Sequence, residues 1–89
     1  MGGFFISFEG IDKCGKSTQA HLLVGHLRET GREVVLTHEP GGTALGQKIR
    51  RLVLHAQSPI DPIAEMMLFA ADRAHHVATL IRPALKAGK

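Results

Sequence analysis

An eight-residue segment near the start of the chain, Gly10 to Ser17, constrains the fold more than any other feature. It reads Gly-Ile-Asp-Lys-Cys-Gly-Lys-Ser and fits the pattern G-x-x-x-x-G-K-[ST] at every fixed position. Its two glycines let the backbone approach an anion closely, and the N–H groups of such a loop converge on phosphates. The final lysine supplies a cation to the β- and γ-phosphates, and the serine supplies a hydroxyl to Mg²⁺. The segment therefore predicts a nucleoside-triphosphate site.

The context of this segment separates a true site from a glycine-rich turn with a solvated lysine. An apolar stretch at residues 3–9 predicts a buried strand before the loop, and a helix is predicted after it, from Lys16 to about Thr30. With that support, the predicted ATP-binding residues are Gly10, Ile11, Asp12, Lys13, Cys14, Gly15, Lys16, Ser17 and Thr18. Cys14 admits a redox or nucleophilic role, but a small side chain in a tight loop is the simpler interpretation.

The remaining pattern alternates strands and helices. A second strand is predicted at residues 33–37, an irregular loop at 38–42, a helix at about 44–55 capped by Thr43, and a helix from Pro62 to near Leu80 capped by Asp61. Pro83 is predicted to kink or end that last helix. This order favours a parallel α/β sheet of the P-loop type with flanking helices. Two strands are too few for such a sheet, so we expect residues 1–89 to be one domain's N-terminal portion, the front of a three-layer α/β/α domain.

Helical periodicity predicts which residues of each helix face the core. For the first helix these are Ala20, Leu23, Val24 and Leu27. For the second they are Leu45, Ile49, Leu52 and Val53. For the third they are Ile63, Met66, Met67, Ala70, Ala74, Val77 and Ile81.

Composition narrows the location and the partners. The 89 residues carry a formal net charge of +3 with scattered bases, so nucleic-acid binding does not follow, whereas an anionic small substrate suits the charge. No apolar run is long enough to cross a membrane, and no signal peptide is evident. The single cysteine, Cys14, cannot form an internal disulfide, which fits the cytoplasm.

Three motifs in order resemble the thymidylate (dTMP) kinase family. The first joins Phe8-Glu9-Gly10-Ile11-Asp12 to Gly15-Lys16-Ser17-Thr18-Gln19. The second, Thr37-His38-Glu39-Pro40-Gly41-Gly42-Thr43, is similar to the family's T-R-E-P-G-G-T loop, and the third, Leu68-Phe69-Ala70-Ala71-Asp72-Arg73, is similar to its L-F-A-A-D-R helix segment. The resemblance covers essentially the whole chain. It implies transfer of the ATP γ-phosphoryl to dTMP, with Mg²⁺, by a protein that forms homodimers.

The resemblance also implies a role for individual residues. Lys16, Lys13 and Asp12 would be the catalytic set, with Asp12 accepting from the 3′-hydroxyl of the acceptor sugar and Ser17 binding the metal. Phe69 would stack on thymine, and Arg73 would contact the acceptor nucleotide one helical turn further on. A guanidinium on the second helix would bind the acceptor phosphate, and by position this is Arg50, with Arg51 its confusable neighbour. Glu39 would lie near the acceptor and metal. The alternatives are a core residue for Phe69, a solvated helix face for Arg50, and a loop acid bound to backbone N–H groups for Glu39.

Departures from the family pattern leave two questions open. His38 stands where the family usually has arginine, so it would steady the loop more weakly and with pH dependence. Lys13 matches family members with a basic residue in the loop, although others place that cation in a later lid. The remaining histidines, His21, His26, His55, His75 and His76, lack metal-ligand spacing and are predicted to be surface or half-buried. The alternative functions are another nucleotide kinase and a nucleotide-binding protein without turnover.

Overall fold

The computed structural model describes residues 2–9 and 15–89. The helices, in chain order, are α1 (Lys16–Glu29), α2 (Ala44–Leu54), α3 (Pro62–His76), a π-helical turn (Val77–Ile81) and α4 (Arg82–Lys86). None of the described helices combines the length and the hydropathy that a bilayer span requires. The chain divides into two compact units, one made of Met1–Leu36 with Ala84–Lys89 and the other of Thr37–Pro83.

The first unit contains α1, whose start and inward face agree with the sequence prediction. The helix begins directly after Gly15, which has a φ of 87°, a conformation that favours glycine. Val24 is buried, and the three other residues predicted on this face, Ala20, Leu23 and Leu27, are half-buried. The periodicity of α1 therefore predicted its buried face correctly.

The predicted strands are not formed in the described residues. Residues 2–9 and 32–38 are extended chain without a β-ladder, and Phe4 and Phe5 are 77% and 61% exposed. The backbone N–H of Gly3 donates instead to the carbonyl of Leu85 at 2.8 Å. A strand needs a neighbour to exchange hydrogen bonds with. Within residues 2–9 and 15–89, neither segment exchanges such bonds with another strand.

The second unit packs α2 against α3 behind the loop that follows Thr37. Thr43 caps α2, as predicted, by accepting from the N–H of Gly46 at 2.9 Å. Asp61 caps α3, as predicted, by accepting from Ile63 and Ala64 at 3.0 and 3.1 Å. Caps of this kind stabilise a helix by about 1 kcal/mol each. The sequence therefore predicted both helix starts correctly.

The predicted core face of α2 is right for two of four residues, and that of α3 is right only at its end, where Val77 and Ile81 are half-buried. On α2, Ile49 is buried and Val53 half-buried, but Leu45 and Leu52 are exposed. On α3, Ile63, Met66 and Met67 are each about 61–62% exposed, and Ala70 and Ala74 are exposed as well. The inward face of α3 is formed by residues spaced at helical intervals: Glu65, Leu68, Asp72, His75 and His76. Asp72 and His76 turn inward because their polar groups bond to residues of the loop that precedes α2.

Of the two outcomes predicted for Pro83, an end to the helix is wrong and a kink stays a prediction. The helical path neither stops nor breaks there: it widens into the π-helical turn, in which the N–H of Arg82 donates to the carbonyl of Val77, and then continues as α4. Proline has no N–H and its ring crowds the carbonyl four residues earlier, which here is Thr79. The wider turn just before Pro83 accommodates this clash.

Candidate functional site

Three side chains of α3, Asp72, Arg73 and His76, contact the loop that precedes α2 and define the centre of the candidate site. Asp72, which is 1% exposed, accepts from the backbone N–H of Gly41 at 3.0 Å. Gly41 has a φ of 107°, so this turn requires glycine. The neighbouring peptide bond between Glu39 and Pro40 is cis. Asp72 thereby attaches the tip of the loop to α3.

Arg73 and His76 both contact Glu39, Arg73 at one carboxylate oxygen and His76 at the other. Arg73 donates to Oε1 through its Nε and its Nη2, both at 2.8 Å. The ring of His76 contacts Oε2 through Nδ1, also at 2.8 Å. The side chain of Glu39 is 24% exposed, whereas that of Arg73 is 73% exposed. One carboxylate thus connects a solvent-facing guanidinium with a buried imidazole.

His76 is held from both sides of its ring. Because a carboxylate only accepts, Nδ1 carries the proton that is donated to Glu39. The other nitrogen, Nε2, lies 2.7 Å from the hydroxyl of Thr37, which donates to it in the neutral ring. His76 is 2% exposed, so the prediction that it is a surface or half-buried residue is wrong. Its burial is tolerated because both ring nitrogens have partners.

The surroundings of Glu39 shift its pKa. Partial burial on its own raises the pKa of the carboxyl group, but hydrogen bonds from His76 and Arg73, together with the positive charge of Arg73, outweigh burial. The pKa of Glu39 consequently lies below its ordinary value. Glu39 is therefore an ionised carboxylate at neutral pH, in keeping with its two donors.

A cavity of about 500 Å³ opens beside this cluster. Its lining residues come from the loop and from α3: Glu39, Pro40, Phe69, Ala70, Asp72, Arg73 and Ala74. Phe69 is 38% exposed, so its ring is neither a core residue nor fully solvated. The cavity therefore combines an aromatic face, a carboxylate and a guanidinium, which suits a ligand with a planar ring and polar or anionic groups.

The carbonyl of Pro40 organises the other side of the loop. Nη1 of Arg50 donates to it at 3.2 Å, and Nδ1 of His38 donates to it at 3.1 Å. Arg51 instead lines a separate groove of about 720 Å³, together with Lys48 of α2 and residues of the α2–α3 connection. The structure thus separates the two neighbouring arginines, and Arg50 is the one that reaches the loop of Glu39.

Two glycines make room for the buried polar side chains. A Cβ atom built on Gly42 would lie 2.6 Å from Nε2 of His76 and would also overlap the hydroxyl of Thr37. A Cβ atom on Gly46 would overlap Oδ1 of Asp72. The loop and α2 therefore approach α3 so closely that only glycine fits at these positions.

The predicted phosphate-binding residues are described only in part. Residues 10–14, which include Asp12, Lys13 and Cys14, lie outside the described residues. Lys16 and Ser17 occupy the first turn of α1, with Lys16 half-buried and Ser17 exposed. N–H groups of a first helical turn have no partner within the helix and point towards anions. The helix start at Lys16 therefore agrees with the sequence prediction, and the phosphate-binding role of these residues stays a prediction.

Sequence reasoning missed Asp72 and His76 as site residues. Their spacing of four places them on one face of α3, and three glycines, Gly41, Gly42 and Gly46, stand opposite them. A missing side chain on one element leaves room for a polar side chain from its neighbour. The cluster of glycines was the available signal, but Gly41 and Gly42 were interpreted only as loop and family-motif residues, and Gly46 only as part of a predicted helix.

Comparison with known proteins shows the family to which the chain belongs. A family model for thymidylate kinase matches residues 8–89. Among curated relatives, the thymidylate kinase of Clavibacter sepedonicus is 59% identical over 88 residues, which are 99% of this chain and 42% of that protein. The thymidylate kinase of Halothermothrix orenii is 49% identical over 89 residues, covering 100% of this chain and 43% of that protein. The chain thus spans less than half the length of the curated relatives it matches.

A solved structure is similar in fold as well. The thymidylate kinase of Ehrlichia chaffeensis superposes with a TM-score of 0.90 at 45% sequence identity, over 100% of this chain and 49% of that one. The fold is accordingly that of a P-loop kinase, matched over about half of the solved chain. With the family match to residues 8–89, the chain belongs to the thymidylate kinase family.

Proposed function

We propose that the protein is a nucleotide kinase that transfers the γ-phosphoryl group of ATP to dTMP, giving dTDP. The observation that carries this proposal is the single cavity lined by Glu39, Phe69 and Arg73. Glu39 lies in the loop, 30 or more positions before Phe69 and Arg73 on α3, yet all three residues line one cavity. Beside this cavity Glu39 is hydrogen-bonded to Arg73 and His76. A pyrimidine nucleotide offers the planar ring and the charged groups that such a lining selects.

On the donor side, the proposal assigns the triphosphate to residues 10–18. Lys16 would bind the β- and γ-phosphates, and Lys13 would reach the transferred group. Ser17 supplies an exposed hydroxyl in the first turn of α1, and its hard oxygen suits Mg²⁺, which is usually held by few protein ligands together with substrate phosphates. When bound, the metal would neutralise charge on those phosphates.

On the acceptor side, the proposal assigns a contact to each residue around the cavity. Phe69 would stack on the base, Arg73 would bind the nucleotide, and Arg50 would bind the acceptor phosphate beside the Pro40 carbonyl. Asp12 would accept from the 3′-hydroxyl of the sugar, and Glu39 would orient Arg73. An acceptor phosphate is already ionised at neutral pH, so the residues act by positioning and charge stabilisation, without a general base.

The proposal extends to the domain and to assembly. Residues 1–89 would contribute the N-terminal portion of a P-loop α/β/α domain, in which the exposed apolar residues 4–6 join a sheet. The protein would form a homodimer, and the exposed apolar face of α3 at Ile63, Met66 and Met67 supports this. Light scattering after gel filtration measures the assembly directly, and a monomer at micromolar concentration would contradict it.

A coupled kinase assay with ATP, Mg²⁺ and a panel of acceptors tests the function. We expect phosphorylation of dTMP to exceed that of dUMP, dCMP and AMP, because the family resemblance implies that Phe69 stacks on thymine. Equal rates with several acceptors would favour another nucleotide kinase of the same fold. No turnover with any acceptor would contradict the kinase assignment for this chain.

A binding function without turnover is the second candidate. Isothermal titration with ATP, run beside the assay, separates the two candidates. Binding of ATP that Lys16→Ala abolishes, with no transfer to any acceptor, would support a nucleotide-binding role. Binding together with transfer would support the kinase.

A further inference from the structure

A second layer of residues lies behind the cavity and determines how its lining is presented. Glu39 and Arg73 line the cavity, and His76 contacts Glu39 from the buried side at 2.8 Å. The hydroxyl of Thr37 in turn contacts the far nitrogen of His76 at 2.7 Å. The order of contacts is therefore Thr37, His76, Glu39, Arg73.

The contacts to Glu39 divide cleanly between its oxygens. Oε2 accepts from His76, and Oε1 accepts twice from Arg73. Rotation of the carboxylate would break bonds at both oxygens together. A side chain that is 73% exposed, as that of Arg73 is, has many available rotamers, and a fixed carboxylate limits them.

The environment of His76 is built to hold one ring orientation. The ring is 2% exposed, both its nitrogens are engaged, and Gly42 stands where any Cβ would overlap Nε2. Asp72, one turn earlier on α3, is engaged with Gly41. The two polar partners fix the orientation of the ring, and Gly42 leaves the space that this orientation needs.

We infer that His76 is a positioning residue for the acceptor side of the site: through its bond to Glu39 it fixes the orientation in which Arg73 meets the acceptor nucleotide. This inference rests on the proposed function and deepens it, since it concerns the same cavity. His76 itself acts only through Glu39. Its loss should therefore weaken use of the acceptor and leave use of ATP nearly unchanged.

Two amide substitutions with the same chemistry but different reach provide the test. His76→Asn places its amide N–H near the position of Nδ1 and keeps a donor for Glu39. His76→Gln extends to the position of Nε2 and keeps a partner for Thr37 instead. We expect the KM for dTMP to stay within about threefold of the wild type in His76→Asn and to rise about tenfold or more in His76→Gln, with the KM for ATP within about twofold in both.

Equal KM values for dTMP in the two variants, or a larger loss in His76→Asn, would overturn the inference. Parallel changes in the KM for ATP would overturn it as well, because they would indicate a general structural defect. Thr37→Val, which removes one hydroxyl and keeps the side-chain shape, is the mild companion variant. It leaves the bond to Glu39 in place and should change the KM for dTMP less than His76→Gln does.

A measurement without turnover separates failure of this inference from failure of the proposed function. The titration of the Glu39 carboxyl carbon, followed by ¹³C NMR, reports the contact with His76 directly. We expect the Glu39 pKa to rise in His76→Gln relative to the wild type, and to rise less in His76→Asn. If the wild type does not phosphorylate dTMP but the titrations differ in this way, the proposed function fails and the positioning contact stands. Identical titrations in all three proteins would overturn the contact itself.

Discussion

Asp72 on α3 lies directly against Gly46 on α2, where a single added methyl group would overlap its carboxylate. The carboxylate is 1% exposed and already holds the N–H of Gly41 at 3.0 Å. It cannot retreat without breaking that bond and leaving buried polar groups unpaired. The close approach of the two helices therefore depends on glycine at this position.

This relationship decides the sign of a substitution that usually stabilises. Alanine in place of a helical glycine normally gains about 0.5–1 kcal/mol. For Gly46→Ala we expect a loss of about 1–3 kcal/mol in the free energy of unfolding, because the new methyl group displaces Asp72. Urea denaturation followed by circular dichroism measures the change.

The matched control is Gly25, which also lies within a helix. Apart from its chain neighbours and the backbone of its own helix, no atom of the described residues lies within 4 Å of its Cβ position. Gly25→Ala should be stabilising or neutral. A gain in stability for both variants would show that the contact between α2 and Asp72 is not tight in solution.

The hydrogen bond between Asp72 and Gly41 supports a second prediction. Asp72→Ala leaves the buried N–H of Gly41 without an acceptor, which costs about 1–3 kcal/mol. Asp72→Asn keeps an oxygen in the same place and should lose clearly less. Denaturation midpoints of the two variants give the comparison, and equal losses would mean that the hydrogen bond contributes nothing beyond packing.

The contrast between α1 and α3 shows what the sequence could predict. The face of α1 that contains Val24 follows from apolar periodicity, and Thr43 and Asp61 mark helix starts because capping is a local interaction. The inward face of α3 could not be found in this way, since it is made by Asp72 and His76. Their burial depends on partners more than 30 residues away in sequence, and periodicity has no information about those partners.

The same distinction applies to the site. Glu39, Phe69 and Arg73 were identified by family resemblance, and the structure brings them to one cavity, although their roles stay predictions. The contacts of His76 with Thr37 and Glu39 were missed, because a histidine without metal-ligand spacing was predicted to be a surface or half-buried residue. Residues 3–9 and 33–37 were predicted as strands, but a strand forms only with a hydrogen-bonded neighbour, which local sequence does not specify.

The lowered pKa of Glu39 predicts a pH dependence of stability. A depressed pKa means that the folded state binds the proton less tightly than the unfolded state does. The contribution of the Glu39 contacts is therefore present above the ordinary carboxyl pKa, about 4.3, and is lost as the pH falls through the lowered value.

Glu39→Gln has no titrating group at this position and isolates the effect. We expect the wild type to exceed this variant in stability by a constant amount from about pH 5.5 to 7, and by progressively less as the pH falls below about 4. Urea denaturation across this range measures the difference. A difference that does not change with pH would mean that Arg73 and His76 do not favour the ionised carboxylate.

The proposed transfer from ATP to dTMP is tested by steady-state kinetics of the Arg73→Ala and Lys16→Ala variants, because Arg73 is proposed to bind the acceptor and Lys16 the ATP phosphates. For Arg73→Ala we predict a rise of about tenfold or more in the KM for dTMP with little change in the KM for ATP, and for Lys16→Ala the loss of nearly all turnover. An equal rise in both KM values for Arg73→Ala, or near-normal turnover in Lys16→Ala, would contradict the account.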